Sequence, residues 1–209
     1  MIDKKQPIAL AITGASGSAY GLRLLELLLQ NGRQVYLMIS KAGRMVIPME
    51  TGLELPAATG ETENMLAQLY HAQPGQLRVF GREEWTAPVA SGSNPPAAMV
   101  VCPCTAGTLS AIACGASNNL IERAADVMLK EQRRLILVVR ETPLSAIHLE
   151  NMLKLSRLGV SIVPAMPGFY HKPETVEELV DFVVGKILDQ LGVDVDGAKI
   201  IHQNRSLTP

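Results

Sequence analysis

This sequence predicts a single-domain α/β protein built on an open, doubly wound parallel sheet, on three observations. Short runs that are apolar throughout, such as Ile8 to Ile12 and Leu135 to Val139, suit strands buried on both faces. Stretches with helical periodicity separate these runs, so strand and helix alternate along most of the chain. Glycine, hydroxyl-bearing and basic residues gather directly after the runs, where an open α/β sheet of flavodoxin or Rossmann-like type binds its ligands.

The first strand is Ile8 to Ile12, and a helix follows over Ser18 to Gln30, with Leu22, Leu25 and Leu29 on one side and Asn31-Gly32 as its stop. Val35 to Ile39 is the second strand, after which Ser40 caps a helix to about Glu50. Glycine and proline interrupt the chain from Gly52 to Gly60. A short helix is expected over Thr62 to His71, capped by Thr62 and presenting Met65, Leu66 and Leu69 on one face. Leu77 to Phe80 is a short strand, and Gly81 to Pro96 a long surface loop. Ala98 to Val101 is a further buried strand, followed by helices over Thr105 to Ala113 and Asn118 to Gln132. The strand Leu135 to Val139, a helix over Ser145 to Leu158 and the closing strand Val160 to Val163 come next. Met166 to Tyr170 loops out, a last helix spans about Glu174 to Leu191, and residues 193–209 form a tail without assignment.

The chain has 209 residues, enough for a full core in one domain, and 47% hydrophobic with 19% charged residues is ordinary for an enzyme domain. Lys plus Arg number 19 against 20 Asp plus Glu, so no global field draws it to nucleic acid or anionic membrane. No apolar stretch has the length of a membrane span or the layout of a secretory signal, and a cytoplasmic location is expected. Cys102, Cys104 and Cys114 lack the spacing of redox or zinc pairs and are read as small packing residues near a strand end. His71, His148, His171 and His202 show no metal-ligand spacing.

The chemistry gathers at four strand ends. Gly14 to Ser18, Ser40, Cys104 to Thr108 and Arg140-Glu141 each follow a predicted strand. The turn Thr13-Gly14-Ala15-Ser16-Gly17-Ser18 lacks both the dinucleotide glycine spacing and the Gly-Lys-Ser/Thr of a P-loop. A hydroxyl-rich turn at a helix start suits a mononucleotide phosphate, and a bare strand-to-helix turn is the competing reading. The basic set Arg123, Lys130, Arg133 and Arg134 is suited to a second anion. Arg123 and Lys130 lie seven apart, which on an isolated helix also describes a solvated charged face. Trp85 either walls a ligand pocket or packs in its loop.

In order and spacing, the segments Thr13 to Gly17, Ile39 to Ala42, Ser91 to Ser93, Pro103 to Ser110, Arg123 to Val127, Leu129 to Glu131, Arg140 to Pro143 and Pro167 to His171 resemble the UbiX-type flavin prenyltransferases. The resemblance implies a flavodoxin-like fold and a metal-independent transfer. In it a dimethylallyl group from dimethylallyl monophosphate is joined to N5 and C6 of reduced FMN. The product, prenylated FMN, would serve a UbiD-type decarboxylase, in many bacteria on the path to ubiquinone. It also implies a dodecamer with active sites at subunit junctions.

By the same resemblance Gly14, Ala15, Ser16, Ser40, Thr105, Ala106, Gly107, Thr108 and Arg140 contact FMN. Tyr170 and Lys186, joined by Ser91, Arg123 and Lys130, hold the prenyl phosphate, and some of these come from a neighbouring subunit. Three cations and two hydroxyls around a dianion would stabilise the phosphate as it departs, without a metal. Glu141 is the candidate for proton management, as acid to the phosphate or base toward the flavin C6 proton. Ser16 relays a proton or holds reduced N5, and Glu50 orients the flavin or Lys130. Two departures from the family stand out. Lys186 replaces a frequent Arg and loses the bidentate fork, and the tail lacks the aromatic residue that relatives often carry there. Two rivals remain: a flavin-dependent cysteine-type decarboxylase, which needs a His absent from the first turn, and a non-catalytic FMN carrier, which needs no second anion site.

Overall fold

The computed structural model describes residues 6–193; the tail from Asp194, with His202, lies outside them. Strands β1 (Ile8–Ile12), β2 (Val35–Ile39), β3 (Leu77–Phe80), β4 (Ala98–Cys104), β5 (Arg134–Val139) and β6 (Ser161–Ile162) are all parallel. Their order is β3-β2-β1-β4-β5-β6. The winding runs outward from β1 to β3, crosses to β4, and runs outward again to β6. Its reversal therefore lies between β1 and β4.

Every residue of β1 is fully buried, as expected of a central parallel strand. Ile8, Leu10 and Ile12 enter one core and Ala9 and Ala11 the other. The first core is covered by α1 (Ser18–Gln30), α2 (Lys41–Thr51), α3 (Thr59–Leu69) and α7 (Val176–Leu191). The second is covered by α4 (Ala106–Ala113), α5 (Leu120–Lys130) and α6 (Ala146–Arg157). In α1 the structure buries Leu24, Leu27 and Leu28 beside the expected Leu22, Leu25 and Leu29. This helix packs against the sheet, α2 and α7 together, so its buried arc is wider than one stripe. Each leucine so buried contributes roughly 1.5–3 kcal/mol relative to exposure.

Helix starts follow their caps. Ser40, Thr105, Asn119, Ser145 and Thr175 each accept the N–H of the residue three positions on, which satisfies an orphan donor of the first turn. Thr62 is not such a cap. α3 begins at Thr59, and its first i→i−4 bond runs from Thr62 N–H to the Ala58 carbonyl at 3.0 Å. Thr62 is fully buried, and its hydroxyl donates to the Pro56 carbonyl at 2.9 Å, tying α3 to the chain before it. Leu69 stays half-exposed at the helix end.

The stretch 81–96 is more ordered than a surface loop. A 3-10 turn at Pro88–Ala90 buries Ala87 and Val89 in the second core, and Leu120 N–H donates to the Arg82 carbonyl at 2.8 Å. The segment thus straps along α5 from the carboxyl edge of the sheet to its amino edge. β4 runs three residues further than Val101, through a cis Cys102-Pro103 peptide and a register shift, to Cys104. Cys102 and Cys104 pack as fully buried free thiols, and burial pushes both up, Cys104 to about 12. Cys114, by contrast, is exposed at the end of α4.

Candidate active site

A crevice of about 340 Å³ opens at the carboxyl edge of the sheet, next to the reversal point. Gly14, Ser40, Thr105, Gly107 and Thr108 line it, so four predicted segments shrink to three on this wall. The N-terminal ends of α2, α4 and α5 meet there, which directs free backbone N–H groups and the positive ends of three helix dipoles toward one space. Phe80, Ile121 and Leu120 supply an apolar wall and Asn119 a polar one. These four lay outside the sequence-based candidates; only Asn119 carried a signal, as a helix cap.

Thr13 ties the reversal point together. Its buried hydroxyl donates to the Pro103 carbonyl at 2.6 Å and accepts the Thr105 N–H at 2.9 Å, joining the ends of β1 and β4. Gly14 passes against α2 so closely that a Cβ there would stand 2.3 Å from the Ala42 Cβ. Only glycine fits such an approach.

The start of α1 already carries an anion. Gly17 occupies the N-cap position and has no side chain to cap with, and the Glu50 carboxylate from α2 takes that part. It accepts the Gly17 N–H at 3.0 Å and the Ser18 N–H at 2.8 Å, together with the Ser18 hydroxyl. Burial alone would raise the Glu50 carboxyl, but hydrogen bonds from Ser16, Ser18 and the Ser18 and Gly17 backbone outweigh that and hold it below the usual carboxylate range. Glu50 therefore orients Ser16 and the first turn. Within one protomer it does not approach Lys130, which pairs with Glu131 at the end of α5. Ala15 is buried, Ser16 exposed, and Ala106 opens α4.

Arg140 and Glu141 follow β5. The Arg140 N–H donates to the Cys104 carbonyl at 3.3 Å, which sets this segment beside Thr105. The Arg140 Nε is buried and has no hydrogen-bond partner among the described residues. A guanidinium nitrogen in that state suits an anionic or acceptor-bearing ligand, and the residues present fit a flavin mononucleotide. Glu141 is partly exposed, with Oε1 accepting the Thr142 N–H at 3.2 Å.

The remaining candidates form two groups on opposite faces of the sheet. Ser91, Arg123 and Lys130 sit together on the α5 face. Arg123 Nε donates to the Ala90 carbonyl at 3.0 Å and pairs with Asp126 at 2.8 Å. A Cβ on Gly92 would meet the Lys130 Nζ at 2.6 Å, so the Ser91 loop touches this lysine. Lys130 ends α5 four residues before β5 begins, which places it at the amino edge of the sheet. The seven residues of β4 separate the two edges by roughly 20 Å. Tyr170 and Lys186 belong to the other face, where α7 packs on α1. Tyr170 is exposed, and Lys186 lies 3.8 Å from Asp189. Trp85 is half-exposed and does not line the crevice. Among the described residues no group of three or more His, Cys, Asp or Glu gathers as a metal site, and no helix is long and apolar enough to cross a membrane.

Comparison with known proteins agrees with this fold. A family model described as Flavoprotein matches residues 1–188. The flavin prenyltransferase UbiX of Pseudomonas aeruginosa is 60% identical over 189 residues, which cover 90% of each chain. The crystal structure of AnUbiX (PadA1) in complex with FMN and dimethylallyl pyrophosphate has a TM-score of 0.81 at 40% identity, covering 91% of this chain and 94% of that one. A dodecameric FMN-dependent UbiX-like decarboxylase from Escherichia coli has a TM-score of 0.80 at 40% identity, covering 90% and 96%. The crevice at the sheet's reversal point, the buried unpartnered Arg140 nitrogen and this kinship along nearly the whole described chain agree: the chain belongs to the Flavoprotein family and, within it, to the UbiX-type flavin prenyltransferases.

Proposed function

We propose that this chain joins a dimethylallyl group from dimethylallyl monophosphate to N5 and C6 of reduced FMN, and that the prenylated FMN serves a UbiD-type decarboxylase. The observation that carries the reading is the crevice where three helix N-termini meet, with Arg140, whose Nε is buried without a hydrogen-bond partner among the described residues, joined by its backbone to Cys104 at the end of the neighbouring strand. That arrangement suits the phosphate and polar ring edge of a flavin. Reduced flavin, when bound, supplies the nucleophilic ring positions. The chain's residues do the rest. Gly14, Ala15, Ser40, Thr105, Ala106, Gly107, Thr108 and Arg140 bind and orient the flavin, and Ser16, held by Glu50, faces its reacting edge. Glu141 handles the proton, while Ser91, Arg123, Lys130, Tyr170 and Lys186 neutralise the departing phosphate.

The two cation groups lie on opposite faces of one protomer, with Lys130 at the amino edge of the sheet. A phosphate gripped by both must lie between copies, and we therefore propose a site shared across a homo-oligomer, with the dodecamer of the E. coli relative as the expected assembly. A cytoplasmic setting belongs to the same reading, supported by three free cysteines. Anaerobic incubation with reduced FMN and the prenyl donor, in the presence of a chelator, tests the proposal. Mass analysis is expected to find the released flavin heavier by one five-carbon unit. Unmodified FMN with both the monophosphate and the diphosphate donor, under confirmed flavin binding, would overturn it in favour of an FMN carrier or a cysteine-type decarboxylase.

A further inference from the structure

One aromatic ring joins the residues of the α7 face. Phe182 lies on α7 one turn before Lys186, so the two share a helix face, and the Lys186 Nζ stands 6.0 Å from the Phe182 ring centroid. Tyr170 meets the same ring edge-on, at 5.7 Å and 80°. His171 stacks on it at 5.3 Å and 5°. Both His171 ring nitrogens are buried without a hydrogen-bond partner among the described residues, so the imidazole is oriented by the Phe182 stack and its edge contact with Tyr170. The turn that carries Tyr170 and His171 is closed by Lys172 N–H donating to the Phe169 carbonyl at 3.0 Å. It passes so near α7 that a Cβ on Gly168 would stand 2.8 Å from Tyr170 Cε1 and 3.0 Å from Phe182 Cζ.

We infer that Phe182 is a positioning residue for the prenyl-phosphate end of the site, its ring holding Tyr170 and Lys186 in one arrangement; this rests on the function proposed above. Phe182 is itself anchored toward the flavin end. Its neighbour Asp181 accepts from Arg23 of α1 at 2.7 and 3.2 Å, and this pairing keeps Arg23 firmly charged. α1 starts at the first turn, so this ion pair ties the segment of α7 that carries Phe182 to the helix that begins at the flavin-binding edge. Lys186 has one charged nitrogen and no planar fork, so its direction toward a phosphate depends on where its stem is held, and the Phe182 face supplies that constraint.

The test uses the full chain loaded with oxidised FMN, whose ring is not nucleophilic and so does not take up the prenyl group, and titrates it with dimethylallyl monophosphate by calorimetry. Phe182→Met keeps an apolar side chain and removes the ring. It is expected to weaken donor binding about tenfold, the scale of losing an aromatic pair and a cation–π contact. FMN affinity and thermal midpoint should stay near the parent values, a split that a merely structural role does not produce. Gly168→Ala keeps the Phe182 side chain but drives a methyl against both the Tyr170 and Phe182 rings, parting them, and should give the same selective loss if Phe182→Met fails to fold. Unchanged donor affinity in the folded variants, or parallel loss of donor, FMN and stability, overturns the inference. Parent protein that binds donor but transfers nothing to reduced FMN overturns the functional reading alone, with the inference still decided by the donor affinities. Parent protein that binds no donor overturns both.

Discussion

Thr13 shows how much one side chain does at this site. Its hydroxyl serves as donor to Pro103 and acceptor from Thr105 while 1% exposed, so Thr13→Val keeps the shape and strands two backbone groups. The expected loss is about 1–3 kcal/mol for each group left unpaired, read from urea unfolding. Glu50 makes a pH-dependent contribution. Its folded carboxyl lies below the unfolded value of 4.5, so the stability it adds is present above that value and is lost as pH falls through the folded one. A carboxylate at a helix start contributes on the order of 0.5 kcal/mol. Glu50→Gln should therefore melt earlier than the parent near neutrality, and the two curves should converge once the pH has fallen through the lowered carboxyl value of the folded protein. Glu141→Gln should bind FMN as the parent does and transfer the prenyl group at least about a hundredfold more slowly, in the range of a lost acid–base group. Single-turnover rates check this, and an undiminished rate removes Glu141 from the mechanism.

At the scale of elements, the flavin crevice depends on how closely α2 approaches the first turn. Gly14→Ala would drive a methyl into the Ala42 side chain, and α2 with its Ser40 cap would have to withdraw. Overpacking of this kind costs about 1–3 kcal/mol. FMN affinity should fall along with stability, measured by flavin fluorescence and thermal melting; a variant with parent-like FMN binding would show that the approach of α2 is not needed for the crevice. The caps at Ser40, Thr105 and Asn119 matter twice, since each satisfies one N–H of its helix and leaves others directed at the crevice. The strap over residues 81–96 has a comparable role at the far edge. By burying Val89 against α5 it brings Gly92, next to Ser91, against Lys130.

For the whole molecule, the separation of Ser91, Arg123 and Lys130 from Tyr170 and Lys186 is the feature with the largest consequence. If the site forms between copies, Lys130→Ala and Tyr170→Phe damage different subunits of one site. Each variant alone should be weak. Subunits mixed, dissociated and reassembled should recover about a quarter of the parent sites, because each intact site draws one residue from each kind of chain. No recovery after verified mixing would place both residues in one protomer. Lys130→Ala is also expected to weaken donor binding more than FMN binding.

Much of the fold was legible because its signals are local. The five-residue apolar run of β1, the leucines of α1 and the capping residues before α2 and α4 specify period and boundary within a few positions. Thr62 misled because its hydroxyl has a partner other than its own helix, the Pro56 carbonyl, which lies upstream of any helix signal. The first turn directs its Gly17 and Ser18 N–H groups at a carboxylate of the chain itself, Glu50, 33 residues from Gly17, a partner that no local signal specifies. By itself the sequence determined strand and helix, the order of the winding units and the residue types at the strand ends, all set by neighbours along the chain. Only the tertiary structure decided that Thr13 bridges to Pro103 across 90 residues, that Phe182 gathers Tyr170, His171 and Lys186, and that the two cation groups face opposite ways. Those are contacts between segments distant in sequence, and they come into being when the sheet closes and its two faces are packed.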